Sequence, residues 1–136
     1  MTRDEVQRFA PQADIGKGAA EADIAAAEQA LSFQFPAQYR EFLATCDGLC
    51  GFIGPHYLIL QSAAALLEYN RGYGFFELCP QAIAIGSDGG GEAVIIRRDN
   101  GHFAFLDFNS LSLDDAVDVA PTFDEFIRSP NPPGWA

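Results

Sequence analysis

Basic side chains are scarce in this chain: Lys and Arg number 8 among 136 residues, against 19 Asp and Glu, for a formal net charge of −11. Arg97-Arg98 is the sole adjacent basic pair. Sequence-independent nucleic-acid binding runs on Lys and Arg contacts to phosphate, so that class is excluded. Anionic membrane surfaces are disfavoured for the same reason. Long apolar runs are missing too. The polar opening Met1-Thr2-Arg3-Asp4-Glu5 leads into none, so neither a signal peptide nor a transmembrane helix is expected. Cysteines are few and odd in number: Cys46, Cys50 and Cys79. Without an export signal they are expected to be reduced thiols of a cytoplasmic protein. There is no internal repeat and no interdomain linker, and the length suits one domain over residues 1–136.

What is present centres on Ile85-Gly86-Ser87-Asp88-Gly89-Gly90-Gly91-Glu92, a glycine-rich acidic turn between two apolar runs. Runs of Ile and Val favour strands. A phosphate-binding loop also uses glycines, but it needs Lys and then Ser or Thr after the last Gly. Here Glu92 and Ala93 follow, Asp88 and Glu92 repel phosphate, and no G-x-G-x-x-G spacing occurs. The segment reads as a turn between antiparallel strands, with no nucleotide or other cofactor.

Helices are predicted at about 3–10, 21–31, 36–46, 62–70 and 122–128, and strands at about 57–60, 82–86, 92–98 and 102–108. Tyr39, Phe42, Leu43 and Cys46 make an i, i+3, i+4, i+7 stripe. Pro36 suits a first helical turn, and Gly48 a left-handed cap. Ser62 is placed as an N-cap, and Thr122 with Glu125 has capping-box spacing. Asp99-Asn100-Gly101 is a hairpin signal. Residues 12–19, 70–80 and 109–120 read as loops, and 129–136 as a Pro-rich tail carrying Trp135. Strands joined by short turns, with helices at both ends of the chain, predict an α+β fold around an antiparallel sheet.

Two blocks, in this order, carry a resemblance. The first is Ile24-x-x-x-Glu28-x-x-Leu31-x-x-x-Phe35-Pro36-x-x-Tyr39-x-x-Phe42-Leu43 with Asp47-Gly48; the second is the glycine-rich turn, two strands and Phe123-x-x-Phe126. Together, over about residues 21–128, they resemble the SUKH superfamily, which includes the yeast cell-wall assembly regulator of the Smi/Knr type and many bacterial proteins. Leu49 departs from a frequent Gly. The resemblance implies a non-enzymatic protein-binding domain, most often a bacterial immunity protein that neutralises a toxin, nuclease toxins among them. The alternative is a regulatory adaptor of the cell-wall regulator type. It carries over no catalytic residue. It gives Glu28, Pro36, Tyr39, Gly48, Gly86, Gly89, Gly90 and Gly91 a structural role.

Other chemistries are weaker on the residues themselves. Cys46 and Cys50, with Cys79, His56 and His102, lack the paired C-x2-C spacing of a zinc site, and Cys46 lies on an apolar stripe. Cys79 with His102 has no catalytic signature around it. The carboxylates Asp88, Glu92, Asp107, Asp114, Asp115 and Asp118 read as a solvated acidic face rather than a glycosidase or calcium site. If that face works, it steers a basic protein partner. Loop aromatics Tyr73, Phe75 and Phe76 either plug the end of the core or supply short-range affinity at an interface. Phe103, Phe105 and Phe108 are expected in the core.

Overall fold

A computed structural model describes residues 1–130; the Pro-rich stretch after Pro130, with Trp135, lies outside them. Seven antiparallel strands form a meander in chain order: β1 (Asp14–Ile15), β2 (Leu49–Ile53), β3 (His56–Leu60), β4 (Ala82–Ser87), β5 (Glu92–Arg97), β6 (Phe103–Asp107) and β7 (Val117–Ala120). The helices are α1 (Arg3–Phe9), α2 (Glu21–Leu31), α3 (Ala37–Thr45), α4 (Leu66–Gly72), α5 (Phe75–Leu78) and α6 (Phe123–Arg128). The α+β class expected from the element order is what the chain forms.

Both faces of the central strands are covered, which explains why β4, β5 and β6 read as nearly continuous apolar runs. One face packs Ile83, Ile85, Val94, Ile96, Phe103 and Phe105 against α1, α2, α3 and α6. The stripe predicted for α3 is wholly buried there, with Tyr39 meeting Phe35, Phe103 and Phe123 at 5.2, 6.3 and 5.5 Å between ring centroids. The other face is smaller in side-chain volume. Ala82, Ala84, Ala93 and Ala104 leave room for Phe75, Cys79 and Leu111 to lie close. Phe108 belongs to this second face, apart from Phe103 and Phe105, because strand side chains alternate.

Several expectations are corrected. Three strands and one helix fall in segments read as loop or left unassigned: β1, β2, β7 and α5. Each is five residues or fewer and acquires its form from its neighbours rather than from its own pattern. The left-handed backbone expected at Gly48, with φ of 110°, begins one residue earlier, at Asp47 with φ of 48°. Ser62 makes no side-chain cap bond. The Asp47 carboxylate instead accepts the Ala63 N–H at 2.7 Å, at the start of the short 3-10 turn that leads into α4. Thr122 does cap α6, its hydroxyl accepting the Glu125 N–H at 3.3 Å.

Three features place the site described next. Gly54-Pro55 turns β2 into β3 over five residue pairs. By contrast β3 meets β4 at only two, Ile59 with Ser87 and Leu60 with Gly86. At that seam a Cβ on Gly86 would stand 1.9 Å from the Ile59 carbonyl oxygen, so only glycine permits the approach. Farther along β4 a bulge falls between Ala84 and Gly86, and β3 no longer reaches. Asn70 of α4, only 1% exposed, takes its place. Its amide donates to the Leu66 and Ala84 carbonyls at 2.9 Å each, and its oxygen accepts the Ala84 N–H at 2.8 Å. The sheet-edge groups left by the short seam are thereby satisfied.

Candidate functional site

Beyond Ile59 the two halves of the sheet part, and a groove of about 280 Å³ opens between the start of β3 and the glycine-rich turn. Phe52, Pro55, His56 and Tyr57 form one wall, Asp88 and Glu92 the other, with Phe105 and Pro130 also lining it. Phe52 and Tyr57 meet edge to face at 5.1 Å and are 48% and 37% exposed. Large apolar side chains left open on a strand pair are informative in a way that an isolated exposed Leu is not.

The acidic wall is built by the turn itself. Asp88 Oδ1 accepts the N–H groups of Gly90 at 2.8 Å and Glu92 at 3.2 Å, while the Asp88 N–H donates to the Glu92 carbonyl at 3.0 Å. Gly89, at φ of 81°, lies flat against Tyr57; a Cβ there would stand 2.7 Å from the ring. Glu92 sits directly across from Asp107 in the β5–β6 register. Partial burial, then Asp107 and Asp88, push the Glu92 carboxyl above its ordinary value. Among the described residues no Lys or Arg pairs with Asp88, Glu92 or Asp107.

The six acidic candidates therefore separate. Asp88, Glu92 and Asp107 gather at the glycine-rich end of the sheet. Asp114 lies beside Leu78, Gln81 and Leu113 on the second face, and Asp115 accepts a bond from the Ser110 hydroxyl there. Asp118 pairs with Arg97 Nε at 2.7 Å. The aromatic candidates separate as well. Phe75 is 1% exposed and belongs to the second core, so of its two expected roles it plugs the core and leaves the partner-contact candidates. Tyr73 and Phe76 are exposed. Tyr73 stacks on Phe108 at 4.3 Å, and the Phe108 N–H donates to the Gly91 carbonyl, so Tyr73 lies near the glycine turn. Phe52 and Tyr57 are the residues that sequence reasoning missed as candidates. Leu49, Cys50, Phe52 and Ile53 are all apolar, so no alternation marks Phe52 as outward, and Gly48 and Gly51 give the segment the look of a turn.

The signature positions outside the groove are tied into the frame. Glu28 accepts the Phe35 N–H at 2.8 Å and Arg40 Nε at 3.1 Å, fixing the link from α2 to α3. Arg40 also holds Glu21, and that bond keeps the Glu21 carboxyl below its ordinary value. Burial, followed by the nearby Asp47, drives the Tyr39 hydroxyl strongly upward. As to enzyme-like groups, Cys46 and Cys79 are buried, and burial raises both thiols, away from the thiolate that nucleophilic chemistry requires. Cys50 is exposed and lies 3.3 Å from the Tyr57 hydroxyl. Among the described residues no three His, Cys, Asp or Glu side chains gather as metal ligands, and no helix is long and apolar enough to cross a membrane.

The model of the family described as SMI1 / KNR4 family (SUKH-1) matches residues 18–129. No curated protein matches the chain.

Proposed function

This chain belongs to the SMI1 / KNR4 family (SUKH-1), and from that membership and the groove we propose a non-enzymatic, cytoplasmic protein-binding domain that neutralises a basic toxin by covering its working surface. One observation carries the reading: carboxylates that no Lys or Arg among the described residues pairs with line the same groove as exposed aromatic residues. Like charges gathered this way cost the free protein stability and are offset when an opposite charge docks. Aromatic side chains such as Phe52, Tyr57 and Tyr73 supply the close-range contact that a charged rim does not. The net charge of −11 adds long-range steering toward a cationic partner. The raised thiols of Cys46 and Cys79 favour binding over catalysis.

A pull-down from the native organism, followed by co-expression of each captured protein, tests the function. A captured protein that kills cells alone, and is silenced by this chain, supports it. Glu92→Gln with Asp107→Asn should then slow association several-fold and flatten its dependence on salt, within the roughly 10–1,000-fold range of electrostatic steering. Asp114→Asn with Asp115→Asn, away from the groove, should change both far less. Equal effects from both pairs would leave net charge, not the groove, as the cause.

The family description also covers the regulator type. That reading, a scaffold for a cellular complex, predicts a stable housekeeping partner and no protection from any toxin.

A further inference from the structure

We propose that residues 131–136 of this same chain occupy the groove in the free protein, with Pro132-Pro133 in its opening and the Trp135 indole against Phe52 and Tyr57. A partner must displace them to dock, a regulation that rests on the protein-binding reading above.

The fold delivers the segment to the groove. α6 is held on the sheet by Phe123, Phe126 and Ile127, and its cap is Ser129. Pro130 cannot continue the helix. It is buried, and it lines the groove together with Phe52, Pro55, His56 and Tyr57. It also lines an adjoining hollow beside Phe9, Ile53 and Arg128, which shares Pro55 and His56 with the groove. The chain therefore leaves α6 at the mouth of the opening. From Pro130 to Trp135 is a span of about 15 Å in polyproline II form, at roughly 3.1 Å per residue.

That reach matters because the two banks of the groove belong to opposite faces of the sheet. Strand alternation puts Glu92 with Val94 and Phe105, on the face that α6 covers. It puts Phe52 and Tyr57, a directly paired couple, on the other face with Cys50. β3 pairs with β4 only at Ile59 and Leu60, so beside Tyr57 the sheet is open among the described residues. The groove is lined from both faces at this gap. A segment that starts at Pro130, on the α6 side, and passes the edge of β3 arrives at the two exposed rings.

Composition suits this occupant. Asn131-Pro132-Pro133-Gly134-Trp135-Ala136 has no charged side chain, so it brings no like charge to Asp88 and Glu92, whereas a second copy would bring a net charge of −11. Consecutive prolines hold the extended polyproline form before contact, and such segments dock on aromatic-lined grooves because little entropy is left to lose. Indole adds a large apolar ring that packs edge or face against Phe and Tyr. The short tether sets an effective concentration on the order of millimolar, so even a modest contact is filled.

Trp135 is the one tryptophan of the chain, so its fluorescence in the full-length protein reports on this segment alone. Compared with a free peptide of residues 129–136, its emission should lie at shorter wavelength and acrylamide should quench it several-fold less, at every protein concentration. Phe52→Ser with Tyr57→Ser, both surface changes, should raise quenching to the level of the peptide. Phe76→Ser, which removes an exposed ring of α5, should leave it unchanged. Trp135→Ala should shift the backbone amide resonances of Phe52, Tyr57 and Gly89 in an otherwise unaltered spectrum. Peptide-like quenching in the full chain, or shielding that survives loss of both rings, would overturn the proposal. Shielding that grows with protein concentration would overturn it too, by giving the groove to the segment of another copy. With a captured partner, Trp135→Ala should speed association several-fold, and an unchanged or slower rate would refute displacement. The fluorescence needs no partner. An exposed indole therefore defeats this regulation and leaves the toxin experiment standing, whereas a shielded indole with no toxin silenced defeats the immunity reading alone.

Discussion

Glu21 and Glu28 share the guanidinium of Arg40, whereas Glu92 faces Asp107 and Asp88 with no Lys or Arg among the described residues paired to any of the three. The first set sits between two helices and spends its acceptors on the frame: a side chain of α3 and the Phe35 N–H. The second set sits at the end of a sheet and opposes itself. In a chain this acidic, the count of carboxylates says little, and the partner of each says a great deal. A neutralised carboxylate holds the fold together. One kept among like charges and partly dehydrated is a cost to the fold that a binding partner removes.

The comparison can be broken at the seam that carries the second set. Gly86→Ala would place a methyl group 1.9 Å from the Ile59 carbonyl oxygen, in backbone that cannot swing aside. We expect loss of more than about 4 kcal/mol, enough to prevent folding, read as lost expression or a collapsed unfolding midpoint. A normally stable variant would mean that β3 and β4 are not fastened there. Next in size, Glu28→Ala would strand the Phe35 N–H and remove the Arg40 Nε contact. A reduction of about 2–4 kcal/mol in denaturant unfolding is expected, with partner binding unaltered in the fraction that folds. Glu28→Gln should recover part of it, because the amide oxygen still accepts the Phe35 N–H.

The smallest effect has the opposite sign and sharpens the contrast. Glu92 has an ordinary value of 4.5, raised in the fold. The folded state therefore favours the protonated form, and stability attributable to this group falls as pH climbs from that ordinary value through the raised one. Glu92→Gln should accordingly stabilise the free protein at neutral pH, by up to about 1 kcal/mol for a partly exposed group. The gain should vanish at low pH, where the carboxyl is neutral in both states. A pH series of thermal midpoints decides this, and a variant destabilised at neutral pH would refute the account of Glu92 as a strained acid.

Much of this contrast was legible in the sequence and part of it was not. α2 could be placed residue for residue because Ile24, Ala27 and Leu31 keep helical spacing through good helix formers. The glycine turn declared itself by composition, and Asn100-Gly101 fixed the hairpin. The groove was hidden because it is made by a strand that stops pairing. Nothing in Tyr57 to Leu60 tells that β3 will leave β4 after two residue pairs. Phe52 was hidden because Gly51, with φ of 147° and its Cα face against Ala13, looks like a turn residue yet sits inside β2. Asn70 was hidden because its role, standing in for a missing strand, exists only once α4 and β4 are packed. Asp114, Asp115 and Asp118 could not be separated from the groove acids without the register of β6 and β7.

The short seam between β3 and β4 also bears on how such a molecule diverges. The side chains that line the opening from either bank, Phe52 and Tyr57 on one hairpin and Glu92 on another, are exposed or half-buried and sit at strand ends. A Cβ on Gly91 would meet nothing within 4 Å. Replacing these residues leaves the aromatic packing of Tyr39, Phe103, Phe123 and Phe126 untouched. A lineage under pressure to follow a changing partner can thus rewrite the banks of the opening one substitution at a time, while the fold behind them is inherited whole.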